Sequence, residues 1–350
     1  MYLDRDAIFV ANTGSSSVSA FQTVAFNPGY DGGGVCGSPF SVGEPPTALD
    51  GGVPLLAWLL VLSQPQKSVS MYSVDNLTSV LTGPLCTINS RYTPVAVAGT
   101  GGFVYVANAE GSVSAYEVSG NGTVANELAG SPFPSGSGPI AIAAAFQPNL
   151  LYVANSQSNN ISGYGLDPNT GVPTPLAGSP YAAGEGPASI VIAPATGPNP
   201  FGARLVMVAN KLSSNVSVFS VAGDGSLSPV PGSPFQVGGA PSSVGISTNL
   251  MPLKFAYVTI PGLNEIAGFS IDGASGALTP VSGSPFPAGV GPLSAVVSSG
   301  GQFLFVVNAG SNALSVYSVD QSSGALTPVS GSPFPVGQSP TAVLYFQVPQ

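Results

Sequence analysis

The sequence predicts an all-β fold: a seven-bladed β-propeller of four-stranded antiparallel blades, its ring closed by the C-terminal strand joining the N-terminal blade. Three observations predict it. A strand-rich unit of roughly fifty residues recurs along the whole chain. The composition suits short strands and tight turns, with 46 Gly and 35 Pro among 350 residues and only 6% charged residues, where an ordinary domain has about a quarter. The chain also begins and ends out of phase with its own repeat, as a closed ring requires.

The unit opens on a strand that ends in an Asn-type turn, and this marker falls at Asn12, Ser63, Asn108, Asn155, Asn210, Ile260 and Asn308. A second strand of Val-Ser-x-Tyr type follows. Val216-Ser-Val-Phe-Ser-Val221 and Leu314-Ser-Val-Tyr-Ser-Val319 alternate with a period of two, as expected of strands packed between neighbouring blades. Next come a Gly-containing turn and a Leu-containing strand. A Gly-Ser-Pro-aromatic signature then closes at Phe40, Phe133, Tyr181, Phe235, Phe286 and Phe334. Its Pro fixes φ and its ring is expected to fill the gap between blades. Pro-x-x-Ile/Val opens the innermost strand of the next unit.

Seven repeats result, at approximately 7–50, 51–98, 99–147, 148–199, 200–250, 251–300 and 301–350, forming one domain over 1–350. The second is the most divergent: it keeps only Gly83-Pro-Leu85 of the signature and carries the lone Trp58. Val53 to Leu62 is the most apolar run, half the length of a membrane-crossing helix, and reads as a buried strand. The chain starts with Ala7-Ile-Phe-Val10 and ends with the inner-type strand Pro340 to Tyr345, a phase that predicts pairing of the two and a complete domain.

Fifteen acidic against six basic residues give a net charge of −9 without a cationic cluster, so nucleic acid is not an expected partner. A dedicated phosphate pocket is disfavoured for the same reason. No histidine is present, which removes the commonest general base and transition-metal ligand and rules out a Ser-His-Asp triad. No cofactor or metal is expected. Gly32-Gly-Gly-Val-Cys-Gly37 matches G-x-G-x-x-G but lacks the strand before it and the helix after it. Asp167, Asp224, Asp272 and Asp320 each precede a Gly-containing turn and read as turn formers. Cys36 and Cys86 occupy similar places in consecutive repeats, where a bridge between adjacent blades is conceivable.

Tyr-Val-Ala-Asn at 105–108 and 152–155, with Gly-Ala-Leu-Thr-Pro-Val-Ser-Gly-Ser-Pro-Phe at 276–286 and 324–334, resembles the lactonase-like seven-bladed propellers, including the YVTN-repeat and 6-phosphogluconolactonase-like proteins. The resemblance covers essentially the whole chain. It implies a propeller fold and, as an activity, lactone hydrolysis. It also implies a cleft holding Arg, Glu and His, and a chain without histidine cannot match that cluster, so no catalytic residue is carried over. The Gly/Ser/Asn-rich, low-charge members it most resembles imply an exported bacterial protein. An extracytoplasmic location (periplasmic, cell-surface or secreted) is therefore expected, although the N-terminus shows no export signal.

Charges are expected at the mouth of the central channel, where the turn entering each innermost strand meets the turn after the Asn strand. Glu44, Arg91 and Glu185 occupy entering turns, and Lys67, Glu110, Lys211 and Glu265 fall in the others. If hydrolysis occurs, Glu44 or Glu185 would act as general base and Arg91 would stabilise the oxyanion. The same charges also fit ordinary solvated turns, and the Asn series fits either a ligand-reading ring or closed turns. The leading expectation is a rigid binding or interaction module presenting this face to a glycan, a peptide or an envelope protein. The alternative is an enzyme acting on a small lactone. No transmembrane segment is expected in either case.

Overall fold

The computed structural model describes residues 6–23, 34–51, 57–123, 125–145, 149–193, 204–246 and 254–347. These residues form seven antiparallel sheets, each of which is one blade. From the axis outward, blade 4 runs Pro139–Ala145, Leu150–Asn155, Asn160–Leu166 and Pro173–Pro175, and the other blades follow the same order. Blade 1 closes the ring. Its inner strand is Pro340–Phe346, paired in register with Ala7–Asn12, so Ile8 faces Tyr345 and Val10 faces Val343. This satisfies the edges that an open sheet would leave unpaired. Across the closing seam, the Tyr345 hydroxyl bonds the Asp6 carboxylate and lies 3.0 Å from Ser299 Oγ.

The sequence markers fall on strand boundaries. The second strand of each blade ends at Asn12, Ser63, Asn108, Asn155, Asn210, Ile260 or Asn308. Of the apolar run at 53–62, residues 58–62 lie in the buried strand Trp58–Ser63, and 53–56 fall outside the described residues. Second strands are fully buried along most of their length because both faces of a blade are covered. The core accordingly divides into seven apolar clusters, one between each pair of adjacent blades. Tyr105, Tyr152 and Tyr257 tie blades together more directly, each donating its hydroxyl to a glycine carbonyl (Gly171, Gly225 or Gly324) in the next blade's turn.

The Gly-Ser-Pro-aromatic signature has a structural cause. The outer strand breaks at this point, as Leu278–Pro280 gives way to Phe286–Pro287, and leaves an amide of the third strand without a strand partner. The signature serine fills the gap. Ser284 Oγ accepts the Gly268 N–H at 2.9 Å, and Ser38, Ser131, Ser179, Ser233 and Ser332 do the same in their blades. The Ser–Pro bond is cis in each, and in blade 2 the cis bond is Gly83–Pro84. That blade lacks the serine and instead keeps one continuous outer strand, Leu81–Asn89, with a register shift opposite Met71/Ser73.

The innermost strands touch one another in cyclic order and enclose the axis. The inner strands carry half-buried residues along their length, whereas among the described residues the second strands do so only at their first residues, Phe255 and Phe303.

Candidate functional site

At the channel mouth the entering turns and the turns after the second strands hydrogen-bond to each other, for example through Lys211 N–H to Gly186 O and Ala109 N–H to Thr93 O. All seven charges predicted for this face lie in or beside these turns. Glu44 is half-buried and accepts a 2.5 Å hydrogen bond from Ser68 Oγ. Arg91 does not reach Glu44. It turns outward to the Glu127 carboxylate on the outer strand of its own blade, with 72% of its side chain exposed. Glu185 is exposed, and only its backbone is engaged, by Ser213 Oγ at 3.0 Å.

Glu110 accepts the Thr93 N–H at 3.0 and 3.1 Å. Desolvation pushes its carboxyl up, but the Thr93 bonds and the nearby Lys67 ammonium prevail and hold it below the ordinary range. Lys67 and Lys211 are exposed, and Glu265 opens the third strand of blade 6, half-buried. At the mouth Glu44, Arg91 and Glu185 are therefore held apart, each committed to different neighbours or to solvent, while Lys67 and Glu110 lie close enough to interact.

The asparagine series lies beneath this surface. Asn12, Asn108, Asn155, Asn210 and Asn308 are fully buried. Their Nδ2 groups donate to residues on the following strand, as Asn108 does to Ser112 and Ser114 at 3.1 and 3.0 Å. The entering turn lies directly over them: a Cβ at Gly184 would sit 2.7 Å from Asn210 Cγ. These amides close turns. The turn aspartates are equally committed. Asp320 accepts the amides of Ser322 and Ser323 together with their hydroxyls, and these bonds hold its carboxyl far below the ordinary value. Cys36 and Cys86 are both free thiols.

A recess of about 240 Å³ opens between blades 3 and 4 on the opposite face, over Phe103, Tyr105 and Leu166. Its carboxylate, Asp167, accepts through Oδ1 from the Asn169 and Thr170 amides and the Thr170 hydroxyl, as a turn former does.

The channel wall holds the residue that the turn-based reading missed. Among the described residues of the seven inner strands, one side chain is charged: Asp50, on Ala48–Gly51 of blade 2. It is the fourth residue after Pro46. The other blades place Ala98, Ala143, Val191, Gly245, Val296 and Leu344 at that position, so the carboxylate stands in an otherwise apolar ring. Asp50 accepts the Gly99 N–H of the neighbouring inner strand at 2.6 Å. Burial pushes its carboxyl from the ordinary 3.8 up to about 7, against the pull of amide bonds from Gly99 and Gly51.

A structural role alone does not require this charge. Ser243 and Ser294 make the same link between inner strands as neutral hydroxyls, accepting the amides of Ala295 and Val343 at 3.3 and 3.2 Å. Asp50 does so at the cost of desolvating a carboxylate.

A family model described as "Lactonase, 7-bladed beta-propeller" matches residues 63–345, most of the chain and all seven blades in part. The chain belongs to this lactonase propeller family. Solved structures agree on the fold. A Bacteroides uniformis protein provisionally named a 6-phosphogluconolactonase superposes with a TM-score of 0.79 at 19% identity, covering 98% of this chain and 100% of its own. The periplasmic gluconolactonase of Pseudomonas aeruginosa gives 0.77 at 20% identity, covering 98% and 99%. A Bacteroides fragilis protein, also provisionally named a 6-phosphogluconolactonase, gives 0.78 at 16%, covering 98% of each. No curated protein matches. Within this lactonase propeller, the histidine-free chain presents a carboxylate, Asp50, on an inner strand.

Proposed function

We propose that this lactonase propeller hydrolyses a lactone, with Asp50 as general base. The observation that carries this reading is Asp50, the one carboxylate among the described residues of the inner strands, held in an apolar ring with its carboxyl pushed by burial up to about 7, where a base is most effective at physiological pH. Membership of the lactonase family supports it, and the separately held mouth charges offer no competing constellation.

The chemistry balances on Asp50 alone. As water oxygen attacks the lactone carbonyl carbon, the carboxylate takes the proton that the water loses. Collapse of the tetrahedral intermediate breaks the ring C–O bond, and protonated Asp50 returns the proton to the leaving alkoxide. The product is a hydroxy acid, whose ionisation releases one proton to solution. We also propose an extracytoplasmic setting, which the sparse surface charge and the likeness to a periplasmic gluconolactonase support.

A pH-indicator assay of the purified protein on a lactone panel tests the reading, with Asp50→Asn, Glu44→Gln and Glu185→Gln alongside. Turnover reduced at least a hundredfold in Asp50→Asn and retained in both Glu variants supports it. Loss in Glu44→Gln or Glu185→Gln with Asp50→Asn active moves the base to the mouth. Absence of turnover on every lactone overturns the enzymatic reading and leaves a rigid binding module for a glycan, peptide or envelope protein.

A further inference from the structure

Resting on the reading of Asp50 as the base, we infer that the channel takes a lactone built on a hydrocarbon frame, alkyl-substituted or bare, and not a sugar lactone or its phosphate ester. The chemistry of the wall carries this. Around Asp50 the equivalent positions are Ala98, Ala143, Val191, Gly245, Val296 and Leu344, none of which can hydrogen-bond through its side chain. Beside it, Gly51 packs against Leu344 and Phe346 of blade 1. A sugar lactone brought to the Asp50 carboxylate would give up water around several hydroxyls and meet hydrocarbon, and an unpaired buried hydroxyl is costly.

Hydroxyls nearer the mouth do not compensate. Thr341 and Thr13 donate to Pro46 O, Thr47 donates to Leu62 O, and Ser242 donates to Leu293 O, so these groups are spent on the backbone. Ser189, Ser243 and Ser294 stand two residues nearer the mouth than the Asp50 ring, and the last two already accept inner-strand amides. A phosphate is served still less well. The described inner strands contain no cation, Arg91 is paired outward with Glu127, and Lys254 lies on the opposite face bonded to Gln321 O. The ammonium groups of Lys67 and Lys211 stay in solvent at the mouth, Lys67 beside Glu110, so a phosphate dianion drawn down to Asp50 leaves them behind and meets a carboxylate, a repulsion that a low-dielectric channel strengthens. An uncharged hydrocarbon ring meets neither penalty, and its burial against the wall is favourable.

Steady-state kinetics on four substrates tests the inference: δ-valerolactone, an alkyl-substituted δ-lactone, D-glucono-1,5-lactone and 6-phosphogluconolactone. The expected order of kcat/KM is alkyl-substituted, bare, sugar and phosphorylated sugar. Each added methylene should raise kcat/KM about fourfold until the channel width is reached, the value expected from burying one methylene, and the phosphorylated substrate should fall at least tenfold below the sugar lactone. Val296→Ser and Val191→Ser should narrow the gap between alkyl and sugar substrates. Preference for a sugar lactone or its phosphate, with Asp50→Asn inactive, would overturn the substrate inference and keep Asp50 as base. Failure of all four substrates would overturn both.

Discussion

The Asp50 carboxylate and the Gly99 amide meet at 2.6 Å across the seam between blades 2 and 3, at the wall of the channel. Two further links of this kind, Ser243 to Ala295 and Ser294 to Val343, join blade 6 to 7 and blade 7 to 1 through neutral hydroxyls. A charge placed where a hydroxyl would serve carries a cost that varies with pH, and that cost is measurable.

The folded-state pKa of Asp50, about 7, lies above the 3.8 of an unperturbed aspartate. The folded state therefore binds this proton more tightly than the unfolded state. The resulting stability is fully present below about 4 and is lost as pH rises through 7. Asp50→Asn keeps an acceptor for Gly99 but carries no charge, so it should match the native chain at pH 4 and exceed it at pH 8. The gain should be on the order of 3 kcal/mol, below the full linkage value because Asp50 keeps part of its surface exposed. Urea denaturation at both pH values measures it, and equal midpoints at pH 8 would refute the shift.

Ser284 supplies the acceptor for an amide that the interrupted outer strand cannot pair. Ser284→Ala should leave the Gly268 N–H without that partner and destabilise the protein by about 1–3 kcal/mol. Ser275→Ala, in an exposed turn where Asp272 still accepts the local amides, should cost less. Paired chemical denaturation curves decide between them.

Four buried asparagine oxygens, on Asn12, Asn108, Asn210 and Asn308, have no hydrogen-bond partner, whereas Asn155 Oδ1 accepts from Ser135 Oγ at 2.9 Å. The difference is legible four residues before the inner-strand proline. Blade 4 has Ser135 there, while blades 5, 7 and 1 have Ala183, Ala288 and Val336; blade 3 has Ser90, whose hydroxyl accepts the Tyr92 N–H and does not reach Asn108 Oδ1. Ala183→Ser should transfer the bond to Asn210 and raise stability by about 1 kcal/mol. A neutral or lower midpoint in thermal denaturation would show that the hydroxyl does not reach.

Most of the fold was legible because the strand-ending Asn, the Gly-Ser-Pro-aromatic break and the inner-strand proline are each imposed by backbone geometry and therefore recur. The site was less legible. The turns carry Glu44, Arg91 and Glu185, but a turn position does not fix where a long side chain points, and Arg91 swings outward to Glu127. Asp50 carried a usable signal: aligned on Pro46, it is the one charge at a position that is otherwise Ala, Val, Gly or Leu. It lay within a strand and not in a turn. Its pKa depends on neighbours from another blade, which spacing along the chain does not convey.

The most direct test is the pH dependence of lactone turnover, corrected for hydrolysis by buffer, for the native chain and Asp50→Asn. Native kcat/KM should rise tenfold per pH unit at acidic pH, bend near pH 7 and level off above it, as a base with that pKa must, and the limb should disappear with Asp50→Asn along with at least a hundredfold of rate. A profile without a limb between pH 5 and 8, or an Asp50→Asn variant turning over at the native rate, would contradict Asp50 as the base.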